Sequence, residues 1–319
     1  MAARLAAHLD GHGLSTAPER LLVTGGLRRA LDVVLASLLR PGDRVLVPAL
    51  TDPAWLALLA VRGFHPVPLP VDLDGRADLP GWLRRIRGRS ASVALLTATY
   101  APPAGTVLQA HERQLLVEEA VRADVTLIDD LSHADLWLED PPPAPLAAPQ
   151  APDEERIVTV GSTDALTAGA PLVGWIRAPE GPVTDRLAGV LTALDAAPSG
   201  LTVAAADAAF ADHAGLLRTR RQHLADLAAT AIRLVTPAAP RITVAPPSGG
   251  PRLWLRFQGA TGTEVADLAR QQGLLVHPGA ASAVDGSDHP AVGLALTADT
   301  DDVVAGLRIL VRIAGAAEE

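Results

Sequence analysis

From Leu21 to Ile128 the chain repeats one pattern: a short apolar run, a turn, and then a stretch whose apolar residues recur at helical spacing. Leu21-Leu22-Val23-Thr24 stops at Gly25-Gly26, and the segment Leu27 to Leu39 then carries Leu27, Leu31, Val34, Leu35 and Leu38 on one face. Pro41-Gly42-Asp43 ends that helix, Arg44-Val45-Leu46-Val47 reads as a second strand, and Pro53 to Arg62 reads as a helix closing at Gly63. Pro66 to Leu69, Val93 to Thr97 and Val125 to Ile128 read as further strands, separated by helices over Leu79 to Ile86 and Glu112 to Ala123. A helix between two strands returns the chain to the edge where it started, so such strands pair in parallel. The prediction is an α/β fold with a largely parallel sheet and helices on both faces.

The stretch Asp140 to Asp153 holds six prolines, which cannot donate to a helix or a central strand, and is predicted to be a surface loop. Strands over Ile157 to Val160 and Leu172 to Ile176 follow, then helices around Val183 to Asp195 and Val203 to His213. From Leu216 a helix opens a second unit with strands at Ile242 to Val244, Leu253 to Phe257, Leu274 to Val276 and Gly293 to Leu296, and helices at Thr263 to Gln272 and Asp301 to Ile313. This order predicts a large domain over 1–215 and a small α+β domain over 216–319. There is no internal repeat.

Composition narrows the chemistry. The 319 residues carry 36 acidic and 27 basic side chains, a net charge of -9, which argues against a polyanion-binding surface. No apolar run reaches the length of about 20 residues that a membrane span needs, and no apolar signal core follows Met1, so a cytoplasmic protein is expected. There is no cysteine, hence no thiolate nucleophile and no cysteine-ligated metal. All 27 basic residues are arginine: the chain contains no lysine, and no side chain can form a Schiff base with a carbonyl compound.

Several segments, in order, resemble the pyridoxal-phosphate-dependent aminotransferases of fold type I, above all the aminotransferase-like domain of MocR-type regulators in the GntR family. Leu22-Val23-Thr24-Gly25-Gly26 before a helix resembles the turn that cradles the cofactor phosphate, with Leu27 and Arg28 next to it. Pro41 to Val47 resembles the strand behind it. Thr99-Tyr100-Ala101-Pro102-Pro103-Ala104-Gly105 stands where the family has Asn-Pro-Thr-Gly, and Ile128-Asp129-Asp130 where it has the aspartate for the pyridine nitrogen. Val158 to Ser162 resembles the strand before the Schiff-base lysine, and Pro247 to Trp254 and Leu274 to Gly279 resemble the small domain.

The resemblance also implies residues that this chain lacks. Ala165 stands where the lysine should be, three residues after Ser162, and Leu172 where an arginine would help hold the phosphate. Pro102 replaces the asparagine, Leu131 the tyrosine, Asp52 the ring-stacking aromatic and Gly293 the late carboxylate-binding arginine. These departures lead to the expectation of a degenerate protein without covalent pyridoxal phosphate chemistry and with no cofactor, serving as a small-molecule-binding, regulatory or partner protein. The alternative is a cofactor-independent enzyme of specialised metabolism that reuses the old cleft, and an active pyridoxal-phosphate-dependent aminotransferase ranks third. Asp129, with Asp52 as a further candidate, would favour a neutral or cationic small ligand over a phosphate ester.

Other expectations follow from the same reading. The family's active sites lie between subunits, which implies a homodimer. The winged-helix segment that precedes this part in the regulators has no counterpart ahead of Leu21, so no nucleic-acid binding is expected. His133 with Asp129, Asp130 and Asp135 offers metal-ligand types, but a solvated loop explains them equally, and no metal is predicted. Tyr100 could serve as an acid or simply pack, and Ser132 and Ser162 lack a nucleophile-elbow context.

Overall fold

The computed structural model of the chain describes residues 1–148, 156–167, 173–179 and 181–316. Helix α1 (Ala2–Gly11) leads into β1 (Leu21–Thr24), α2 (Leu27–Leu38), β2 (Arg44–Pro48), α3 (Pro53–Arg62), β3 (His65–Leu69), α4 (Leu79–Arg87), β4 (Val93–Leu96), α5 (Ala110–Ala123) and β5 (Thr126–Asp130). Then come β6 (Ile157–Ser162), β7 (Gly174–Arg177), α6 (Pro182–Ala193), α7 (Gly200–Phe210) and α8 (His213–Ala238). The last part holds β8 (Ile242–Val244), β9 (Arg252–Phe257), α9 (Gly262–Gln271), β10 (His277–Pro278), α10 (Gly279–Ser282), β11 (Ala291–Ala295) and α11 (Thr300–Ala316).

Local chemistry sets the helix ends. Asp52 caps α3 by accepting from the Ala54 amide, Pro53 takes the first turn where no amide is needed, and Gly63 closes the helix at φ 71°. Gln109 and Glu112 form a reciprocal capping box at the start of α5.

The main sheet has the order β1-β7-β6-β5-β4-β2-β3. Strands β2 to β6 pair in parallel, while β7 runs antiparallel to β6 and β1 antiparallel to β7. Strands β1 and β2 are consecutive in the chain but far apart in the sheet, so α2 has to cross the face of β7 and β6 on its way. The pleat divides the core. Val45, Val47, Leu95, Ile128, Val158 and Val160 pack under α2, α3 and α6, and Leu46, Ala94, Leu96 and Leu127 pack on the other face. A second sheet, β10-β11-β9-β8, is antiparallel throughout.

The predicted boundary between 215 and 216 falls just inside α8. The predicted strand Leu274 to Val276 is displaced: Gly273, at φ 82°, turns the chain after α9, and only His277 and Pro278 reach partners on β11, leaving Leu275 78 % exposed. Helix α1 was not anticipated. Of the proline-rich loop, residues 140–148 form neither helix nor strand, and the rest lies outside the described residues. Among the described residues no helix is long and apolar enough to cross a membrane.

One close approach fixes where α2 begins. An added Cβ at Gly174 would stand 2.4 Å from the carbonyl carbon and oxygen of Gly26 and 2.6 Å from Thr24 Oγ1, so only glycine allows β7 to lie against the β1–α2 turn. Gly174→Ala is expected to lower stability by about 1–3 kcal/mol through this overpacking, read as a drop in the denaturant midpoint at unchanged slope.

Candidate functional site

Consecutive residues at the end of β5 go to opposite sides of the sheet. Asp129 is fully buried on one side, where its carboxylate accepts from the amides of Ala98 (3.4 Å) and Leu146 (3.2 Å). Arg113 stands nearby, its guanidinium donating to the carbonyls of Leu108 (2.8 Å), Ala98 (2.9 Å) and Ala144 (3.0 Å) and to Thr99 Oγ1 (2.9 Å). Burial pushes the Asp129 carboxyl above its ordinary value, against the pull of Arg113 and the two amides. Asp130 points the other way, into a cavity of about 650 Å³ beyond the carboxyl ends of the parallel strands.

The wall of that cavity starts at Gly25 and Gly26, continues through Leu27, Arg28 and Arg29 at the start of α2, and includes Asp52 and Trp55 from α3, Pro102, Asp130, Ser132, His133 and Asp164. Gly26, at φ 105°, turns the chain so that the first amides of α2 have no partner within their own helix, an arrangement suited to an anion beside Arg28 and Arg29. The opposite part of the wall is acidic. Asp52 Oδ2 lies 3.4 Å from Arg252, while Asp130 accepts from the Ser132 amide at 2.8 Å. Burial raises the Asp130 carboxyl to about 7, despite the stabilising bonds from Ser132. Burial also raises Asp164, whose Oδ1 is buried without a hydrogen-bond partner among the described residues. His133 is held below its usual value, by burial first and then by Arg252, and its Nδ1 makes a long contact (3.4 Å) to the Tyr100 carbonyl.

The residues singled out from the sequence divide accordingly. Gly25, Gly26, Leu27, Arg28, Asp52 and Pro102 line the cavity; Asp129 does not, whereas its neighbour Asp130 does. Leu131 and Ala165 are buried in the hydrophobic cluster on the Asp129 side. Ser162 is buried, its Oγ 3.5 Å from the Asp164 amide. Tyr100 packs its ring on Gly249, where a Cβ would come within 2.5 Å, and its hydroxyl donates to the Asp140 carbonyl at 3.2 Å. Burial raises that hydroxyl to about 12, so it stays protonated. Leu172 lies outside the described residues, and Gly293 pairs with His277 in the small sheet. The grouping of His133 with Asp129, Asp130 and Asp135 does not form: Asp129 is across the sheet, and Asp135 joins two histidines of α1. Arg29, Trp55 and Asp164 were not foreseen, although Arg29 follows Arg28 at the helix start and Trp55 stands one turn beyond Asp52.

Residues 1–300 match the family model described as aminotransferase class I and II, and the chain belongs to that family. It is 26% identical over 316 residues to the uncharacterized HTH-type transcriptional regulator YisV of Bacillus subtilis, covering 95% of this chain and 63% of YisV. Over 166 residues it is 29% identical to aromatic-amino-acid aminotransferase 1 of Thermococcus litoralis, covering 50% of this chain and 38% of that enzyme. The chain thus spans less than two-thirds of the length of these relatives. Its fold is that of LysN, an α-aminoadipate aminotransferase of Thermus thermophilus solved with N-(5'-phosphopyridoxyl)-L-leucine, at a TM-score of 0.87 and 18% identity, covering 100% of this chain and 82% of LysN.

These likenesses confirm the fold type I, α/β reading and correct the functional one. The expectation of a degenerate protein with no cofactor, or of a cofactor-independent enzyme, finds no support in them: the Thermococcus litoralis relative and LysN are named as aminotransferases, and LysN was solved with a cofactor-derived ligand. The family positions this chain lacks are only part of the site, because the fold also brings Arg29, Trp55 and Asp164 to the cavity.

Asp130 makes the site's effect on stability testable. Its folded-state value lies above the ordinary 3.8, so the folded protein binds the extra proton, and stability falls as pH rises from about 4 towards about 7. Asp130→Asn removes that loss, and its advantage over the parent is expected to grow with pH by up to about 1.4 kcal/mol per unit before levelling off, as read from denaturation midpoints at pH 5, 6, 7 and 8.

Proposed function

We propose that this chain acts in the aminotransferase family by holding a ligand with an anionic group at one end and an amine or ring nitrogen at the other, and that the amine form of pyridoxal phosphate is the group its cavity fits. The donor set carries this reading. Two arginines and the start of α2 suit a phosphate, Asp130 suits a ring nitrogen, and Asp164, whose Oδ1 has no hydrogen-bond partner among the described residues, suits an amine. The set does not suit a covalent link. No lysine exists anywhere in the chain, and Ala165 is buried in the core, so the amine form, which needs no linkage, is the better match.

When bound, the group would supply an electron-withdrawing ring beside an amine. The chain's own residues supply the rest. Asp130 changes protonation near neutral pH and can hold or release a proton at its carboxylate. His133, kept neutral by burial and Arg252, accepts or donates a proton without carrying a fixed charge. Trp55 and Leu58 offer an apolar wall that excludes water. The family reading adds a homodimer in the cytoplasm, for which a solution mass of two chains is the check.

Calorimetry with pyridoxamine phosphate and pyridoxal phosphate tests the proposal. Saturable binding in the range of about 1–100 µM, reversed by dialysis and weakened about tenfold or more in Arg28→Ala/Arg29→Ala, is expected. Absence of saturable binding by both compounds would overturn it.

A further inference from the structure

Away from the cleft, α1 presents His8 and His12, four residues apart and therefore one above the other on a single helical face. Both turn Nε2 to the same carboxylate. His8 Nε2 is 3.0 Å from Asp135 Oδ2, and His12 Nε2 is 2.9 Å from Asp135 Oδ1. Asp135 is more than a hundred residues away in sequence, in the turn after β5, so the fold alone brings the three together. Side-chain exposures of 15%, 14% and 14% show donors withdrawn from bulk water. The three donor atoms lie within 4.8 Å of one another.

We propose that His8, His12 and Asp135 form a site for a divalent transition metal of the zinc class. Two imidazoles and a carboxylate are a ligand set that suits such an ion, and its bonds of about 2.0–2.2 Å place neighbouring tetrahedral donors about 3.4 Å apart. The two His–Asp separations of 2.9 and 3.0 Å, made to different oxygens of Asp135, open by about 0.4–0.5 Å, and the triad, within 4.8 Å overall, adjusts to the same spacing to admit the ion. The fourth position faces a cavity of about 440 Å³ whose wall includes His213 of α8. The Nδ1 of His213 stands 3.1 Å from the Phe210 carbonyl, which only a protonated Nδ1 can satisfy, and this leaves Nε2 with a free lone pair. Water or His213 completes the set.

One positive group opposes the ion. Arg221 donates to the Asp135 carbonyl at 2.7 Å and stacks 3.2 Å above the Trp137 ring, so its guanidinium is already engaged while its charge is felt at Asp135 and His8. An ion here would tie α1 to the turn after β5, and through His213 to α8. It would act as a structural clasp with an open coordination position, separate from the cleft that lies beyond Asp130.

The test uses the tag-free full chain, stripped with a chelator and titrated with Zn²⁺ by calorimetry and with Co²⁺ by visible absorption. One equivalent bound at micromolar or tighter Kd is expected, with the intense absorption of four-coordinate Co²⁺ and a metal-dependent rise in Tm. His12→Gln and Asp135→Asn should each weaken binding about tenfold to a hundredfold. Should either variant fail to fold, X-ray absorption of the Co²⁺-loaded parent decides: two imidazole nitrogens support the site, and one or none overturns it. No stoichiometric binding, or binding unchanged in folded variants, would show a hydrogen-bonded triad only.

Discussion

The pleat of β5 places two adjacent carboxyl groups in environments that share nothing. A strand turns successive side chains to opposite faces, so Ile128 and Asp130 look towards α2 and α3, while Leu127 and Asp129 look the other way. Both aspartates are buried, and a buried carboxylate without partners would be costly. Asp129 is offset by Arg113 and two amides and becomes part of the framework. Asp130 has the Ser132 bonds against its burial among the described residues, and burial raises its carboxyl to about 7. The cavity's chemistry rests on that difference in company.

Arg113 extends the framework into the loops around the site. Its bonds to Leu108, Ala98, Ala144 and Thr99 tie the end of β4, the approach to α5 and the proline-rich loop into one buried layer. Tyr100 and Gly249 press together at the edge of that layer and bring the small sheet's leading loop against Pro102. The cavity wall is therefore held from behind by hydrogen bonds and from the side by contact. On its far side the crossing of α2 over β7 and β6, fitted closely against Gly174, sets the start of that helix above the strand ends.

Charge in the cavity is balanced rather than one-sided. Arg28 and Arg29 stand against Asp52, Asp130 and Asp164; Asp52 is paired with Arg252, and burial raises the carboxyls of the other two, which ionise when a cationic group of a ligand stands beside them. A wall of that kind accommodates a ligand that carries opposite charges at its two ends better than one of a single sign. The absence of lysine limits how such a ligand is held, not whether it is held.

Most of the secondary structure was legible in the sequence. Helix α3 starts and ends where Asp52-Pro53 and Gly63 say it should, and the strand runs at Leu21, Arg44 and Val93 appear in place, because capping and apolar periodicity are local properties. The lack of a lysine, the family's motif order and the glycine turn were equally plain. Leu274 to Val276 was misread because strand formation needs a partner, and β11 offers one only from His277 onward. Which of Asp129 and Asp130 faces the cavity, which arginines stand beside it, and that Asp135 belongs with His8 and His12 rather than with His133 were decided by the tertiary structure alone. Sequence spacing specifies which residues share a face of one element, but the meeting of two elements depends on sheet order and helix crossing, and those are set by the packing of the whole core.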